Sequence, residues 1–435
     1  MSVVINGDTG ISGVNGSAGN PAIKGSDADT GIHFGADTAA ITTGGTDKVS
    51  IDSSGDATFS GKVKTSKIEN ANTSNGGVEI DTAGHVQIDG QQLPTAGGLS
   101  HRNILINGGM RISQRTTSTA GVTSSAYRAC DRWRLLLGNA GTWTISQDSG
   151  AVPQGFTNSF KVDCTSGGMT STSSVVIIRY VIEARDLQVL DYGTANAQPA
   201  TLSFWVKSNK TGGATIQLNS QDGGNRSFIT TYTINTANTW EYKTISIPAD
   251  TGGTINDDNG SGLEFDFWLN SGTFYQGSAP AAGWAAEVSA ARNNTNLGVG
   301  DAANDNFYLT GVQLEVGEKA TPFEHRSRAE ELERCQRYFQ AVPFTNGLVA
   351  TSSQVHANYS TMVEMRAAPS ITSQGPLEVN DNSTNTTQSG VNVTTYGDGK
   401  IKFVQLGSFT GLTTHRPCFM RFSANNNLLT LSSEF

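Results

Sequence analysis

ATLSFWVKSN, residues 200–209, alternates apolar and polar side chains at every second position. Successive side chains of a β-strand project to opposite faces, so this alternation predicts a strand with one face in a core and the other outside. The segment GLEFDFWLNS (262–271) has the same pattern. In both segments the aliphatic and Phe side chains share one face, and a Trp lies among polar residues on the other. The two segments predict an all-β fold.

Similar segments lie on both sides of these two, with turn residues between them and no long helical pattern. About ten strands are predicted, and a double-layered antiparallel sandwich of jelly-roll type is the natural way to pack them. The predicted strands are 127–138, 142–149, 160–166, 173–184, 200–209, 214–220, 226–235, 240–248, 262–271 and 306–317.

Residues 1–100 have a different sequence pattern, in which short apolar segments alternate with Gly, Asp and Ser. VSIDSSGDATFSG (49–61) and VEIDTAGHVQIDG (78–90) share the frame V-x-I-D-x-x-G, which predicts a strand, an Asp-Gly turn and a second strand. Each hairpin carries too few apolar side chains to fold alone. The repeats are therefore expected to be completed by other chains.

The segment RSRAEELERCQRYFQ (326–340) is predicted to be a helix, with a capping box formed by Ser327 and Glu330. Beyond it the β texture returns, with a polar loop at 380–390 and strands near 349–355, 357–366, 391–396, 400–407 and 417–431. The predicted organisation is an N-terminal β-repeat shaft (1–100), a jelly-roll domain (101–325), a linking helix (326–340) and a C-terminal β tip (341–435).

The composition argues against several classes of function. A net charge of −9 argues against nucleic acid as a partner, because Lys and Arg bind its phosphates. No apolar run approaches the ~18 residues of a membrane span, so membrane insertion is not expected. The first residues have neither the basic start nor the apolar stretch of a secretory signal. Four widely spaced cysteines are expected to be free, buried thiols of a protein folded in a reducing cytoplasm: Cys130, Cys164, Cys335 and Cys418.

GSDADTGIHFGADTAAITTGGTDKVSIDSSG (25–55) resembles the repeat of tailed-phage tail-fibre proteins, in which DTGI, TGG and IDSSG recur. Other segments resemble the carbohydrate-binding-like central domain of such proteins. They are NILINGGMRISQR (103–115), DRWRL (131–135), TLSFWVKSNKTG (201–212), TWEYKTISIPADTGGT (239–254), FYLTGVQLEVGEKATPFEHRS (307–327) and ELERCQRYF (331–339).

The resemblance covers roughly residues 1–90 and 100–340. It implies a homotrimeric tail fibre of a virion, assembled in the cytoplasm of the bacterial host, that contacts the host's surface polysaccharide. The chain departs from the family in that its repeats begin close to residue 1, with no long domain for docking to a baseplate before them. The N-terminal region is therefore expected to join other phage tail or adaptor proteins.

The most specific binding signal is the pair of Trp residues on the polar faces of the two opening strands. If Trp205 and Trp268 lay on neighbouring strands, their indoles would form a platform for a pyranose ring. Polar neighbours would then reach the sugar hydroxyls: Lys207, Glu264, Asp266 and Asn270. The alternative for both indoles is packing under a loop or against another subunit. Three further Trp residues are expected in the core: Trp133, Trp143 and Trp240.

Catalysis and metal binding have weaker signals. Glu264 and Asp266 are two residues apart on one strand face, a spacing that a glycosidase pair tolerates, although a solvated polar face explains it better. No catalytic residues and no cofactor are predicted. Two groups of oxygen-bearing residues could bind calcium, although simple turns explain both better. The first group is Asp257, Asp258 and Asn259, and the second is Asp301 and Asp305.

Three functions remain from the sequence. The leading hypothesis is a structural tail fibre that binds host surface glycan without enzymatic activity, gaining avidity from threefold display. The first alternative is a tailspike-type polysaccharide depolymerase. The second is a purely architectural neck, collar or adaptor fibre.

Overall fold

The computed structural model describes residues 4–6, 10–12, 15–64, 67–69, 77–80, 86–88, 91–92, 101–342, 346–357, 361–373, 376–388, 392–396, 403–422 and 429–435. It confirms the all-β class, and the chain divides into two compact units, Met1–Leu93 and Pro94–Phe435. The strands of the first unit are β1 Val4–Asn6, β2 Gly10–Ser12, β3 Gly16–Ser17, β4 Asn20–Pro21, β5 Ile23–Lys24, β6 Gly31–Gly35, β7 Thr38–Thr43, β8 Thr46–Ile51, β9 Ala57–Phe59, β10 Lys67–Glu69, β11 Gly77–Ile80, β12 Val86–Ile88 and β13 Gln91–Gln92.

The two repeated motifs fold as hairpins with the same register. In the first, β8 pairs with β9 across a turn in which Asp52 Oδ1 accepts bonds from the amides of Ser54 (2.9 Å) and Asp56 (3.0 Å). Gly55 completes the turn at φ +86°, a conformation that glycine adopts without strain. In the second copy β11 pairs with β12, while the predicted turn at 81–85 lies outside the described residues.

The five-stranded sheet β5-β6-β7-β8-β9 has an apolar face that the described residues leave uncovered. The register aligns side chains across all five strands: Ile23, Ile32, Ile41, Val49 and Phe59, with Phe34 and Ile51 beside them. Apart from half-buried Val49, these side chains are 36–49% exposed. On the opposite face Ala40 and Thr42 are buried, and Thr42 Oγ1 donates to the backbone oxygen of Asp29 (3.4 Å). This sheet therefore covers its small residues and exposes its large ones.

In the second unit, two antiparallel sheets pack into the predicted sandwich. Their orders are β14-β17-β18-β26-β20-β23 and β15-β16-β19-β24-β21-β22-β25. The strands are β14 Ser118–Val122, β15 Ala126–Tyr127, β16 Arg134–Gly138, β17 Ala140–Asp148, β18 Ser159–Met169, β19 Val175–Glu183, β20 Ala200–Ser208, β21 Gly212–Ser220, β22 Arg226–Ile234, β23 Glu241–Ile247, β24 Ser261–Ser271, β25 Ala285–Ala286 and β26 Asn306–Val316. Three 3-10 helices lie between strands: Ala184–Leu190, Thr273–Tyr275 and Ser289–Ala291.

The inward faces of both sheets form one hydrophobic core. Phe204 on β20 meets Phe267 on β24 edge to face, with ring centroids 5.2 Å apart, so these two strands face each other across the sandwich. Trp133 and Trp143 are fully buried, as predicted. The predicted strand 127–138 is instead two strands, because the chain turns between them with Arg132 at φ +73°.

The edge strand β23 directs two charged residues toward the sandwich interior. Glu241 accepts bonds from Lys243 Nζ (2.6 Å) and from the amides of Asn235 and Thr236 (2.8 Å each). Burial alone would raise the pKa of Glu241, but these bonds outweigh it and lower the pKa to about 2. Inward charges on an edge strand also discourage pairing with a stray strand from another molecule.

The helix is shorter than predicted: α1 spans Arg328–Gln336, and Phe339 already begins a strand. Ser327 is its N-cap, and its side chain accepts a bond from the amide of Glu330 (3.2 Å), as the capping motif predicts. Cys335 and Tyr338 pack against Ile106 and Ile112 of the sandwich unit.

Residues near position 435 return to the sandwich and close a buried ionic cluster. The Glu434 carboxylate lies between Arg115 (3.2 Å) and Arg132, and both Glu434 and Arg132 side chains are almost completely buried. The Arg132 guanidinium also lies 3.4 Å from the ring centroid of Tyr338. Because Arg132 has no access to water, its charge depends on Glu434 for neutralisation.

The C-terminal strands form a second core under a seven-stranded sheet, β32-β31-β35-β28-β29-β34-β33, and a three-stranded sheet, β27-β36-β30. Three predictions here are wrong. The predicted strand 349–355 contains the turn between β28 and β29, which pair as a hairpin. The predicted polar loop 380–390 contains β32, which pairs with β31, and residues 361–366 form no strand. The strands are β27 Phe339–Val342, β28 Asn346–Thr351, β29 Gln354–Ala357, β30 Ser370–Ser373, β31 Leu377–Asn380, β32 Asn385–Gln388, β33 Asn392–Tyr396, β34 Phe403–Gly407, β35 Pro417–Phe422 and β36 Leu429–Ser432.

The four cysteines all lie in the described residues and are free and buried, as predicted. Within the same described ranges, no helix is long and apolar enough to cross a membrane.

Candidate functional site

The outer surface of the six-stranded sheet carries the candidate site. On β20 the apolar side chains enter the core, which leaves Trp205 and Lys207 on the outside. The same alternation turns Tyr308 of β26 and Tyr242 of β23 outward, and Trp240 lies just before β23. These five residues, which we call the aromatic face, come from three strands adjacent in the sheet, β26-β20-β23.

One half of the aromatic face is built around a lysine. Lys207 pairs in register with Tyr308, and its Nζ lies 4.1 Å from the Tyr308 ring centroid and 5.1 Å from that of Trp240. The two rings meet edge to face with centroids 6.1 Å apart. Trp240 is held in place by a bond from its Nε1 to the backbone oxygen of Ala151 (2.7 Å). The ammonium group is thus fixed beside two aromatic rings.

The other half is a pair of packed aromatic rings whose planes are inclined at 48°. Trp205 and Tyr242 are register partners with ring centroids 5.3 Å apart. Gly311 on β26 sits at a bulge with φ +62°, and a Cβ there would lie only 2.6 Å from the ring of Phe156 and 3.1 Å from that of Trp205. Glycine at this position therefore allows both rings to approach the strand. Trp205 is half-buried, whereas Tyr242 is 44% exposed.

The charges on this surface are local and small in number. Lys161 of β18 flanks Tyr308 from the other side, with Nζ 5.4 Å from the ring centroid, and forms an ion pair with Asp163 (3.4 Å). Burial lowers the pKa of Lys207. The positive charge of Lys161 lowers it further, whereas the negative charge of Asp148 opposes the shift. Burial also raises the pKa of Tyr242. An aromatic surface with a positive group at its centre can stack a planar or ring-shaped apolar face and hydrogen-bond to acceptors beside it.

The structure divides the six predicted glycan-binding residues between two sheets. Trp205 and Lys207 lie on β20, but Glu264, Asp266, Trp268 and Asn270 lie on β24 of the seven-stranded sheet. The expected platform of neighbouring Trp205 and Trp268 indoles is therefore not formed. The reason is the sheet order of the sandwich, which places β20 and β24 in opposite layers.

Trp268 is also fully buried, because the segment 272–296 packs over it. Its ring meets Tyr275 at a centroid distance of 5.2 Å and the Arg292 guanidinium at 5.2 Å, and its Nε1 donates to Gln217 Oε1 (3.2 Å). Asn270 is buried too and donates to Asp301 Oδ1 (2.8 Å). The alternative of packing under a loop describes Trp268 correctly.

Glu264 and Asp266 are joined by one arginine. Arg179 donates to both oxygens of Asp266 (2.7 Å each) and lies 2.8 Å from Glu264 Oε2. Asp266 is completely buried, and burial raises the pKa of Glu264. Both carboxylates are thus bound to Arg179, and that of Asp266 has no path to a substrate.

The predicted calcium residues form local bonds. Asp258 Oδ1 accepts from the amide of Gly260 (2.7 Å), and Asp305 Oδ2 accepts from the amides of Gly300 and Ala302 (3.1 Å each). Turn formation accounts for these oxygens. Among the described residues, no group of three or more His, Cys, Asp or Glu side chains is arranged to hold a metal ion.

Sequence reasoning missed three members of the aromatic face. Trp240 was expected in the core, but it is half-buried on the outer surface. Tyr242 and Tyr308 were not considered, although the alternation in WEYKTISIP and NFYLTGVQL places each between core-facing residues. The periodicity that singled out Trp205 was present in both segments.

No family model matches the chain, and no curated protein matches it. Among solved structures, the enzymatically active domain of tailspike protein 4 from bacteriophage CBA120 is 14% identical, with a TM-score of 0.27. That match covers 49% of this chain and 21% of the tailspike chain, so the chain spans about a fifth of its length.

Two further matches cover nearly all of smaller proteins. TmCBM61, solved with β-1,4-galactotriose, is 10% identical, with a TM-score of 0.25 over 50% of this chain and 99% of its own. A putative sugar-binding protein from Bacteroides thetaiotaomicron is 12% identical, with a TM-score of 0.26, and the match covers 50% of this chain and 100% of that protein. Likeness at this level does not indicate a function, which has to be argued from the residues of this chain.

Proposed function

We propose that this protein is a tail fibre of a tailed phage that binds glycan on the surface of the bacterial host through the aromatic face. The observation that carries the proposal is the cluster of Trp205, Trp240, Tyr242 and Tyr308 around Lys207 on the outside of the sandwich. Aromatic rings held partly in water offer a flat apolar surface to the C–H face of a sugar. The nearby ammonium and hydroxyl groups supply the polar contacts.

The fibre part of the proposal is supported by the apolar face of β5–β9. Six large side chains, each at least a third exposed, form one continuous surface that a single chain leaves in water. A second and third copy of the same chain, arranged around a threefold axis, would cover it. Trimerisation also multiplies weak glycan sites into useful avidity. The free, buried thiols agree with folding in a reducing bacterial cytoplasm before the fibre acts as part of the virion.

The proposal is for binding without catalysis. The two carboxylates at strand spacing, Glu264 and Asp266, are both occupied by Arg179. Of the carboxylates near the aromatic face, Asp163 is paired with Lys161, and Asp148 accepts a bond from the amide of Gly150. Contacts with other tail or adaptor proteins through the N-terminal region complete the proposed role.

The test is binding of the purified protein to polysaccharide extracted from host envelopes. Tyr242→Ala removes the most exposed ring of the aromatic face and should weaken binding about tenfold, equivalent to 1.4 kcal/mol. Phe274→Ala is the matched control, since Phe274 is 55% exposed but belongs to the segment beside the other sheet. Equal binding by both variants and the wild type would refute the aromatic face as the receptor site.

Two other readouts separate the alternative functions. Release of soluble oligosaccharides during incubation would identify a depolymerase. Absence of binding to envelope polysaccharide, together with gold labelling of the fibre away from the adsorption end, would identify an architectural fibre.

A further inference from the structure

Two lysines flank one tyrosine of the aromatic face. Lys207 and Lys161 lie on the strands either side of β26, and both pair in register with Tyr308. Their ammonium groups lie 4.1 Å and 5.4 Å from its ring centroid. A protein with a net charge of −9 thus places one cation within its aromatic face and a second at the edge of that face.

The two lysines differ in how their charge is balanced. Lys161 has a carboxylate partner in Asp163, at 3.4 Å. Within the described part of the chain, Lys207 forms no ion pair, and its contacts are the rings of Tyr308 and Trp240. Asp148 lies close enough to act on Lys207 through its charge, but it forms no ion pair with it, and its carboxylate accepts a bond from the amide of Gly150 (3.2 Å). The half-buried ammonium of Lys207 is therefore available to pair with an anionic group of a ligand.

We propose that the glycan bound by the aromatic face is acidic, and that Lys207 binds an anionic group on the sugar. This inference rests on the proposed glycan-binding function and names its substrate class. The Tyr308 and Trp240 rings are inclined at 71°, so a sugar ring would stack on one of them, Trp240, because Lys207 lies over the Tyr308 ring. A substituent of that sugar would then lie within reach of the ammonium group. Carboxylate and phosphate both fit, because lysine acts as a compact point charge and does not select planar geometry.

The position of Lys207 also explains why an acidic protein can take an acidic ligand. Contacts to charged groups are screened over about 10 Å at 0.1 M salt, so distant carboxylates contribute little once the ligand is bound. The adjacent, partly desolvated cation then dominates the local interaction. Binding is expected to weaken as salt increases, while stacking on the rings continues.

The experiment uses polysaccharides in pairs that differ only in charge, with the full-length protein. Polygalacturonate is compared with its methyl ester, alginate with its propylene glycol ester, and phosphomannan with mannan. The first two pairs test carboxylates and the third tests phosphate. The wild type should bind the acidic member of at least one pair ten or more times tighter than the neutral member. Lys207→Gln should abolish this preference, and Lys207→Arg should restore it.

Two control variants separate the local effect from total charge. Lys48→Gln makes the same charge change on an exposed residue of β8 and should leave the preference unaltered. Lys161→Gln should reduce it less than Lys207→Gln, since Asp163 already neutralises that lysine. Unchanged melting temperatures would show that each variant is folded. If Lys207→Arg keeps the preference for acidic polysaccharide and Lys207→Gln loses it, the side chain acts through its charge and not through packing.

The outcomes distinguish this inference from the function on which it rests. Equal binding of acidic and neutral members, or an acidic preference that survives Lys207→Gln, overturns the inference and leaves glycan binding intact. Failure of the wild type to bind any of these polysaccharides or host envelope polysaccharide overturns both.

Discussion

Replacing Ile41 with Asp tests whether the apolar face of β5–β9 joins copies of the chain. Ile41 lies on the central strand and is 49% exposed. Fully burying such a side chain is worth about 1.5–3 kcal/mol, so the exposed half corresponds to about 0.7–1.5 kcal/mol per chain. The six large exposed side chains of the face together correspond to about 4–9 kcal/mol per chain. This is a substantial driving force for association.

The Asp variant removes the contribution of Ile41 and adds a carboxylate that must lose its water. Desolvation costs several kcal/mol for each ion, so a trimer would be weakened by roughly 10 kcal/mol or more. Light scattering after size exclusion at micromolar concentration should give three times the 45.8 kDa chain mass for the wild type and a smaller mass for Ile41→Asp. Thr58→Asp is the control, because Thr58 is exposed and faces the other side of the sheet. A wild-type mass of one chain, or an unaltered trimer for Ile41→Asp, would refute the reasoning.

Two further predictions concern the sandwich. Glu434→Gln leaves the buried Arg132 without its counter-charge and should lower the free energy of unfolding by about 3–5 kcal/mol in urea titrations. The control Glu333→Gln, at an exposed residue, should change it little. Equal urea midpoints for the two variants would contradict the stabilising role of the ionic cluster. Because the folded pKa of Glu241 is about 2 against an ordinary 4.5, its contribution to stability is complete above pH 4.5 and is lost as the pH falls toward 2. The stability difference between wild type and Glu241→Gln should therefore shrink across that window, and a difference independent of pH would disprove the assignment.

Local patterns predicted the elements of the fold well. The V-x-I-D-x-x-G frame became a hairpin because Asp52 and Gly55 supply the bonds and the backbone conformation of its turn. Alternation in residues 200–209 correctly identified which side chains enter the core. Ser327 caps the helix where the motif places it. Each of these depends on neighbours within a few positions, which a sequence displays directly.

The candidate site depended on information that is not local. Trp205 and Trp268 have the same sequence context, yet the order of strands places them in opposite sheets, and the segment 272–296 buries only the second. The approach of Trp205 to β26 depends on a bulge at Gly311, which alternation alone does not predict. The strand Asn385–Gln388 was missed because its polar composition is typical of a loop, and pairing with β31 stabilises it. Tertiary pairing decided each of these cases.

The ionic cluster around Arg132 has a consequence for the timing of biosynthesis. Arg132 and Glu434 are 302 residues apart, so a ribosome adding roughly 5–20 residues per second supplies the glutamate about 15–60 s after the arginine. The sandwich strands β16 to β26 are synthesised during that interval, and Arg132 must stay hydrated or bind another anion. The corner of the sandwich around Arg132 therefore reaches its final packing only after residue 434 has left the ribosome, and chaperones have a defined period in which to bind it.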